Sequence, residues 1–324
     1  MLDNLTLETV ERIAMSDDNT IILCPGQGAQ AIGMGKAWHD AMPESKAVFD
    51  EANDVLGFDL SQLCFEGPEE QLNRTDNAQV AIYTASVACF RGLQAKGDLQ
   101  QFTATAGLSL GEFTALHLAG AFSFADGLKL VRLRGEAMQA AAEAAPSSMV
   151  AITGEVNEAN IEMLCDQVND ALPKEAVMVP ANYNSPMQVV VSGTLDACEL
   201  MVGQATAAGF RATPLTVAGA FHSPIMQPAA VQLQKALEQV QWSEPTVQVL
   251  SNVTSEPHVT NPSLIQKRLV EQLTNPVRWS QSMQYAAKNL PGRYVELAPG
   301  KVLSGLMRRI EKSIRVENFD SPKD

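Results

Sequence analysis

The strongest constraint on the fold is a rhythm of short apolar runs, each stopped by a glycine turn and followed by a helix-length segment. Thr20-Ile21-Ile22-Leu23-Cys24 is too short for a helix, shows no polar alternation and ends at Pro25-Gly26. Such a run reads as a strand buried on both faces. Helical segments are expected over about 36–56 and 78–96, a second strand at Thr103-Ala104-Thr105-Ala106-Gly107, and helices over Gly111–Ala119 and Phe124–Ala145. Strands alternating with helices predict an α/β fold with a mainly parallel sheet covered on both faces.

From about Ser148 the rhythm changes. Strand (Met149–Thr153), helix (Glu158–Val168), two strands (Val177–Asn182, Gln188–Ser192), helix (Asp196–Ala208) and strand (Arg211–Val217) follow in turn. The order βαββαβ is that of a ferredoxin-like unit, which can bury a small core of its own. A subdomain at 147–216 is therefore expected, inserted into a discontinuous large domain of 20–146 and 217–315. Residues 1–19 read as a polar N-terminal extension with one short helix over Leu5–Met15, and the tail from Arg308 as a helix with a frayed end.

Composition removes several classes of function. A formal charge of −14 opposes nucleic acid or an anionic membrane surface as the main partner. No apolar run reaches the roughly 18 residues needed to span a bilayer. Asp3, Glu8, Glu11, Asp17 and Asp18 deny the N-terminus a signal peptide's basic start, so a cytoplasmic protein is expected. Cys24, Cys64, Cys89, Cys165 and Cys198 form no close pairs and read as buried thiols, and the four histidines form no ligand pair, so no metal is expected.

Gly107-Leu108-Ser109-Leu110-Gly111 is a GxSxG between an expected strand and an expected helix, the setting of a nucleophile elbow. The alternative is a glycine-rich turn with an idle serine. A serine hydroxyl needs a base. His39 lies in an expected exposed helix, His117 in the helix after the elbow and His258 in a polar loop, all read as structural or solvated. His222, in Ala220-Phe221-His222-Ser223-Pro224, falls where the chain re-enters the large domain, at the sheet end where sites gather. Gly26-Gln27-Gly28-Ala29-Gln30-Ala31 admits two functional readings. As GxGxxA it imitates a dinucleotide fingerprint, with Asp50 or Glu51 about 20 residues on. Otherwise it is a tight loop that aims Gln27 and its backbone at an oxyanion.

GQGAQ, GLSLGE, Arg132-Leu133-Arg134-Gly135, GAFHS, Asn275-Pro276-Val277-Arg278-Trp279 and Pro299-Gly300-Lys301-Val302-Leu303 occur in this order. With them the chain resembles the malonyl-CoA:acyl carrier protein transacylases from Thr20 to about Ile314. The resemblance implies an α/β-hydrolase-like core with an inserted ferredoxin-like subdomain. It implies Ser109 as nucleophile, His222 as base, the Gln27 and Leu110 amides as oxyanion donors and the Gln272 main-chain carbonyl as the group that orients the imidazole. Arg134 would clamp the substrate carboxylate through two parallel hydrogen bonds, and Phe221 would narrow the acyl pocket. Malonyl-CoA and acyl carrier protein would be the partners, with phosphopantetheine entering as substrate and no cofactor. A monomer is expected.

One position departs from the family. Most members carry histidine before the nucleophile and this chain has Leu108, which offers no side-chain hydrogen bond. An altered rate or thioester lifetime is expected there. Lys301, Arg308, Arg309, Lys312 and Arg315 form the densest basic cluster, a candidate surface for an acidic carrier protein or simply a solvated helix face. A polyketide acyltransferase, a thioester hydrolase of the same fold and a nucleotide-binding oxidoreductase are the rival readings.

Overall fold

The first strand organises the molecule because both of its faces are apolar. In the computed structural model, which describes residues 19–323, β1 (Thr20–Cys24) is wholly buried. Ile22 and Cys24 face one apolar cluster, and Ile21 and Leu23 face another on the opposite side of the sheet. The expected N-terminal helix over Leu5–Met15 lies outside the described residues.

β1 pairs in parallel with β2 (Ala104–Gly107) and β8 (Arg293–Leu297); β7 (Gln248–Leu250) and β9 (Val316–Phe319) complete a parallel sheet of order β7-β2-β1-β8-β9. Helices Thr75–Lys96, Gly111–Leu118 and Phe124–Ala144 supply the larger cluster, which joins the face of Ile22. Trp279, Met283, Leu303 and Met307 supply the cluster on the other face. Because every strand runs the same way, the loops after β1, β2 and β7 converge at one edge, where sites in such sheets form.

β3 (Ser147–Thr153), β4 (Met178–Ser185), β5 (Gln188–Thr194) and β6 (Arg211–Pro214) form a second, antiparallel sheet of order β4-β5-β3-β6. Alternation gives it two uses. Val150, Ile152, Val189 and Val191 pack with helices Glu158–Ala171 and Leu195–Ala207 into a separate core. Met149, Ala151 and Val190 point the other way into the main core. The small sheet is thus seated on the main core through its opposite face.

The tail differs from expectation. The helix is Val302–Ile310, and beyond it β9 pairs with β8 instead of fraying, which carries the large sheet past residue 315. Trp38 Nε1 and Cys89 Sγ both donate to the Phe319 carbonyl, at 2.9 and 3.3 Å, and Arg293 holds Glu317 through two bonds of 2.9 Å. These partners are distant in sequence, so the polar Glu317-Asn318 pair concealed the strand. The segment expected as one helix over 36–56 is split at Met42, because Pro43 begins the second piece.

Candidate active site

The turn after β2 holds Ser109 at φ 53°, a left-handed conformation that costs a non-glycine residue about 1–2 kcal/mol. The flanking glycines are required by close approach. A Cβ on Gly107 would lie 1.8 Å from the Gly111 carbonyl carbon, and one on Gly111 would lie 2.1 Å from the Cys24 oxygen. Three bonds over-determine the strained turn. Asn252, just after β7, accepts from the Ser109 amide and donates to the Gly107 carbonyl, both at 2.7 Å. Gln272 Nε2 donates to the Ser109 carbonyl at 3.0 Å. Ser109 is left part-exposed at the head of helix Gly111–Leu118.

His222 reaches this hydroxyl from a loop anchored on the small sheet. Ala220 N donates to Ser147 Oγ at 3.1 Å, and Ser192 Oγ donates to the Phe221 carbonyl at 2.5 Å. His222 is also left-handed, at φ 56°. Its Nε2 lies 2.8 Å from Ser109 Oγ and its Nδ1 lies 2.7 Å from the main-chain carbonyl of Gln272. A carbonyl only accepts, so Nδ1 carries the proton and Nε2 is free to accept from the serine. Burial, reinforced by the charge of Arg134 and opposed by the Gln272 carbonyl, pushes the imidazole down to about 4.

Arg134 lies on helix Phe124–Ala144 and is 1 % exposed. Nη1 donates to Gln79 Oε1 at 2.7 Å, and Nη2 to Gln272 Oε1 and Ser109 Oγ, both at 2.9 Å. Nε is buried without a protein acceptor. Among the described residues no carboxylate lies within ion-pair distance of this guanidinium. Burial lowers its pKa to about 10, against the field of Glu112, so it stays charged at neutral pH. A buried cation held by neutral amides, with a donor to spare beside the serine, has the chemistry to receive an anionic group.

The Gly26 loop meets the elbow directly. A Cβ on Gly26 would lie 2.2 Å from the Leu108 carbonyl oxygen, and Leu108 N donates to the Cys24 carbonyl at 3.1 Å. The amides of Gln27 and Leu110 donate to no protein acceptor among the described residues. This contact overturns the dinucleotide reading. A pyrophosphate needs the loop open and a helix beginning at it, whereas Leu108 fills the approach and the next helix starts only at Lys36. Asp50 and Glu51 are exposed, and Asp50 is paired with Lys46 at 2.7 Å.

Leu108 packs beside the cluster of Ile21 and Leu23, so its side chain is apolar filling at the base of the elbow. Phe221 is buried in the main core next to His222. His258, read from sequence as part of a polar loop, instead buries its ring against Glu112, Nε2 to Oε1 at 2.6 Å. Gln79, Glu112, Asn252, His258 and the side chain of Gln272 escaped the sequence reading. Two of them left a local signal: Gln79, a lone amide within the apolar helical run Ala78-Gln79-Val80-Ala81-Ile82, and Glu112, the last residue of GLSLGE.

A serine bonded to a neutral imidazole beside unpaired main-chain amides defines the acyl-transfer class, and residues 21–321 match the acyl transferase domain. A malonyl CoA-acyl carrier protein transacylase of Bacillus subtilis is 41 % identical over 303 residues, 93 % of each chain. The crystal structure of the acyl-carrier-protein S-malonyltransferase from Bartonella henselae superposes with a TM-score of 0.89 at 38 % identity, covering 94 % of this chain and 96 % of that one. A malonyl-transacylase solved with a type II polyketide acyl-carrier protein gives a TM-score of 0.89 at 37 % identity, with coverage of 94 % and 96 %. The chain belongs to the malonyl-CoA–acyl carrier protein transacylase family.

Proposed function

We propose that the chain moves a malonyl group from malonyl-CoA to the phosphopantetheine thiol of acyl carrier protein, for fatty-acid synthesis, through an ester on Ser109. The observation that carries the reading is the buried Arg134 guanidinium, which has no carboxylate partner among the described residues and donates to the nucleophile itself. The malonyl carboxylate takes Nε and Nη2, releasing the Ser109 hydroxyl. His222 accepts the serine proton as Oγ attacks the thioester carbon, and the Gln27 and Leu110 amides stabilise the oxyanion. Collapse expels coenzyme A as its thiolate, which takes the proton from His222. The carrier thiol then repeats the sequence in reverse, giving its proton to His222 and leaving Ser109 as a free hydroxyl. The Gln272 carbonyl takes the orienting place that a carboxylate fills in a triad, and Phe221 narrows the pocket.

Lys301, Arg308, Arg309, Lys312 and Arg315 are all exposed around helix Val302–Ile310, while Leu303, Leu306 and Met307 are buried. Glu296 caps this helix by accepting from the amides of Leu303 and Ser304 at 2.8 Å. Gly300, at its start, approaches the Ala29 carbonyl of the Gln27 loop. The helix thus begins beside the Gln27 loop and carries a positive face, suited to an acidic carrier. The buried, unpaired cysteines suit a reducing compartment, and we place the protein in the cytoplasm as a monomer.

Mixing the protein with malonyl-CoA, with and without holo carrier protein, and weighing every species tests the assignment. The enzyme should gain one malonyl group and pass it to the carrier. Free malonate without carrier acylation would make it a hydrolase. With Arg308→Glu/Arg309→Glu the acyl-enzyme should form normally and the transfer step should slow; an unchanged transfer rate would put docking elsewhere.

The lowered His222 pKa also fixes a pH dependence. The base works only when neutral, so kcat/KM, which reports the free enzyme, should hold down to about pH 5, where an ordinary histidine would fail near 6.5. Bound malonate neutralises Arg134, so the acid limb of kcat should lie at higher pH than that of kcat/KM. For stability, the folded state binds fewer protons than the unfolded. The contribution is therefore full above the unfolded value and declines as pH falls from about 6.5 toward about 4. A kcat/KM limb at the ordinary histidine value would refute this electrostatic account.

A further inference from the structure

Glu112 is 1 % exposed, yet the side chains and amides around it hold it as an acceptor. It takes Gln272 Nε2 at 2.6 Å, His258 Nε2 at 2.6 Å and the Asn252 amide at 3.3 Å. A buried carboxylate is costly without a partner. Among the described residues His258 is the ionisable donor in contact with it, and Arg134 acts on it only at longer range. The His258 side chain is 3 % exposed and lines a groove with Phe102, Thr103 and Val247, on the far side of the network from Ser109.

We propose that His258 is a positioning residue that sets the preference for a diacid acyl group by holding Glu112 and, through it, the Gln272 amide. Gln272 is the hinge of the site. Its Nε2 donates to Glu112 and to the Ser109 carbonyl, with a longer 3.4 Å contact to Asn252 Oδ1, and this fixes Oε1 on Arg134 Nη2 at 2.9 Å. The ends of an amide are nearly equal in shape, so only its partners decide which way it points. With Glu112 anchored by His258, the amide nitrogen is drawn to the carboxylate and its oxygen to the guanidinium. With Glu112 displaced, the amide loses that bias, and a rotated Gln272 would set its NH2 against Arg134 and push the clamp away. His222 is spared this effect, because it is held by the main-chain carbonyl of Gln272, which does not rotate with the side chain.

The inference rests on Arg134 as the carboxylate clamp, so its test compares malonyl-CoA with acetyl-CoA in pre-steady-state acylation. In His258→Ala the ratio of malonyl to acetyl kcat/KM should fall on the order of tenfold, the scale typical of residues that orient a ligand-binding group. His258→Gln, which keeps a donor to Glu112, should recover most of the ratio. Glu112→Gln/His258→Ala should also do better than His258→Ala, since the uncharged amide still accepts from Gln272 and leaves no unpaired buried charge. A ratio unchanged in His258→Ala, or a double variant no better than the single one, overturns the proposal. If His258→Ala does not fold, His258→Gln and His258→Asn decide, the first expected to hold the ratio and the second, whose shorter side chain cannot reach Glu112, to lose it. A ratio that collapses in Arg134→Ala but stays constant across the His258 series would sink this inference alone. Indifference to Arg134→Ala would instead remove the clamp on which both rest.

Discussion

Ser109→Ala is expected to abolish the malonyl-enzyme adduct and to lower transfer by a factor of the order of 10⁴ or more, the scale of losing a nucleophile that works as a unit with its base. The cysteines offer no substitute nucleophile. The five cysteines are buried as free thiols, and burial raises the pKa of each one well above the usual thiol range. The variant should still fold, because the strained turn is held through the amide and carbonyl of residue 109, and alanine keeps both. Intact mass after mixing with malonyl-CoA gives the first result and thermal unfolding the second. A folded variant acylated at the normal rate would remove Ser109 from the mechanism.

Arg134→Ala should cost malonyl transfer a factor of the order of 10² to 10³, since truncating one member of a buried charged contact typically removes 2–5 kcal/mol. The acetyl reaction should fall much less. Some loss is expected there as well, because the variant leaves Gln79 Oε1 and Gln272 Oε1 without their donor and uncovers the Phe113 ring, which lies 5.4 Å from the guanidinium carbon. Arg134→Lys should fall between, since an ammonium supplies the charge but not the planar fork. Acylation rates for malonyl-CoA and acetyl-CoA at matched fractions of folded protein provide the check. Equal losses for both acyl groups would make Arg134 a structural residue.

The two variants touch different parts of the reaction. In the proposed mechanism Ser109 supplies the bond that forms, and Arg134 supplies the binding energy that selects which acyl group forms it. Leu108 bears on neither directly. Its side chain lies against the cluster below the elbow and supports the turn by packing, while the polar contacts at this position are made by its backbone.

What the sequence determined by itself was local. Apolar periodicity and turn residues were enough for the alternation of strands and helices, for the switch to βαββαβ after residue 147 and for an elbow at Ser109, because each depends on a few neighbouring residues. Six short motifs in order were enough for the family. Contacts made across the fold were not legible. Gln79 and Gln272 meet Arg134 from helices far apart in the chain, Asn252 braces Ser109 from the end of β7, and β9 completes the sheet only because β8 and Trp38 receive it. The neutral state of His222 and the burial of His258 on Glu112 are likewise tertiary facts. A side chain's charge and direction are set by the dielectric and the partners that folding brings to it, and neither is carried by the residues on either side.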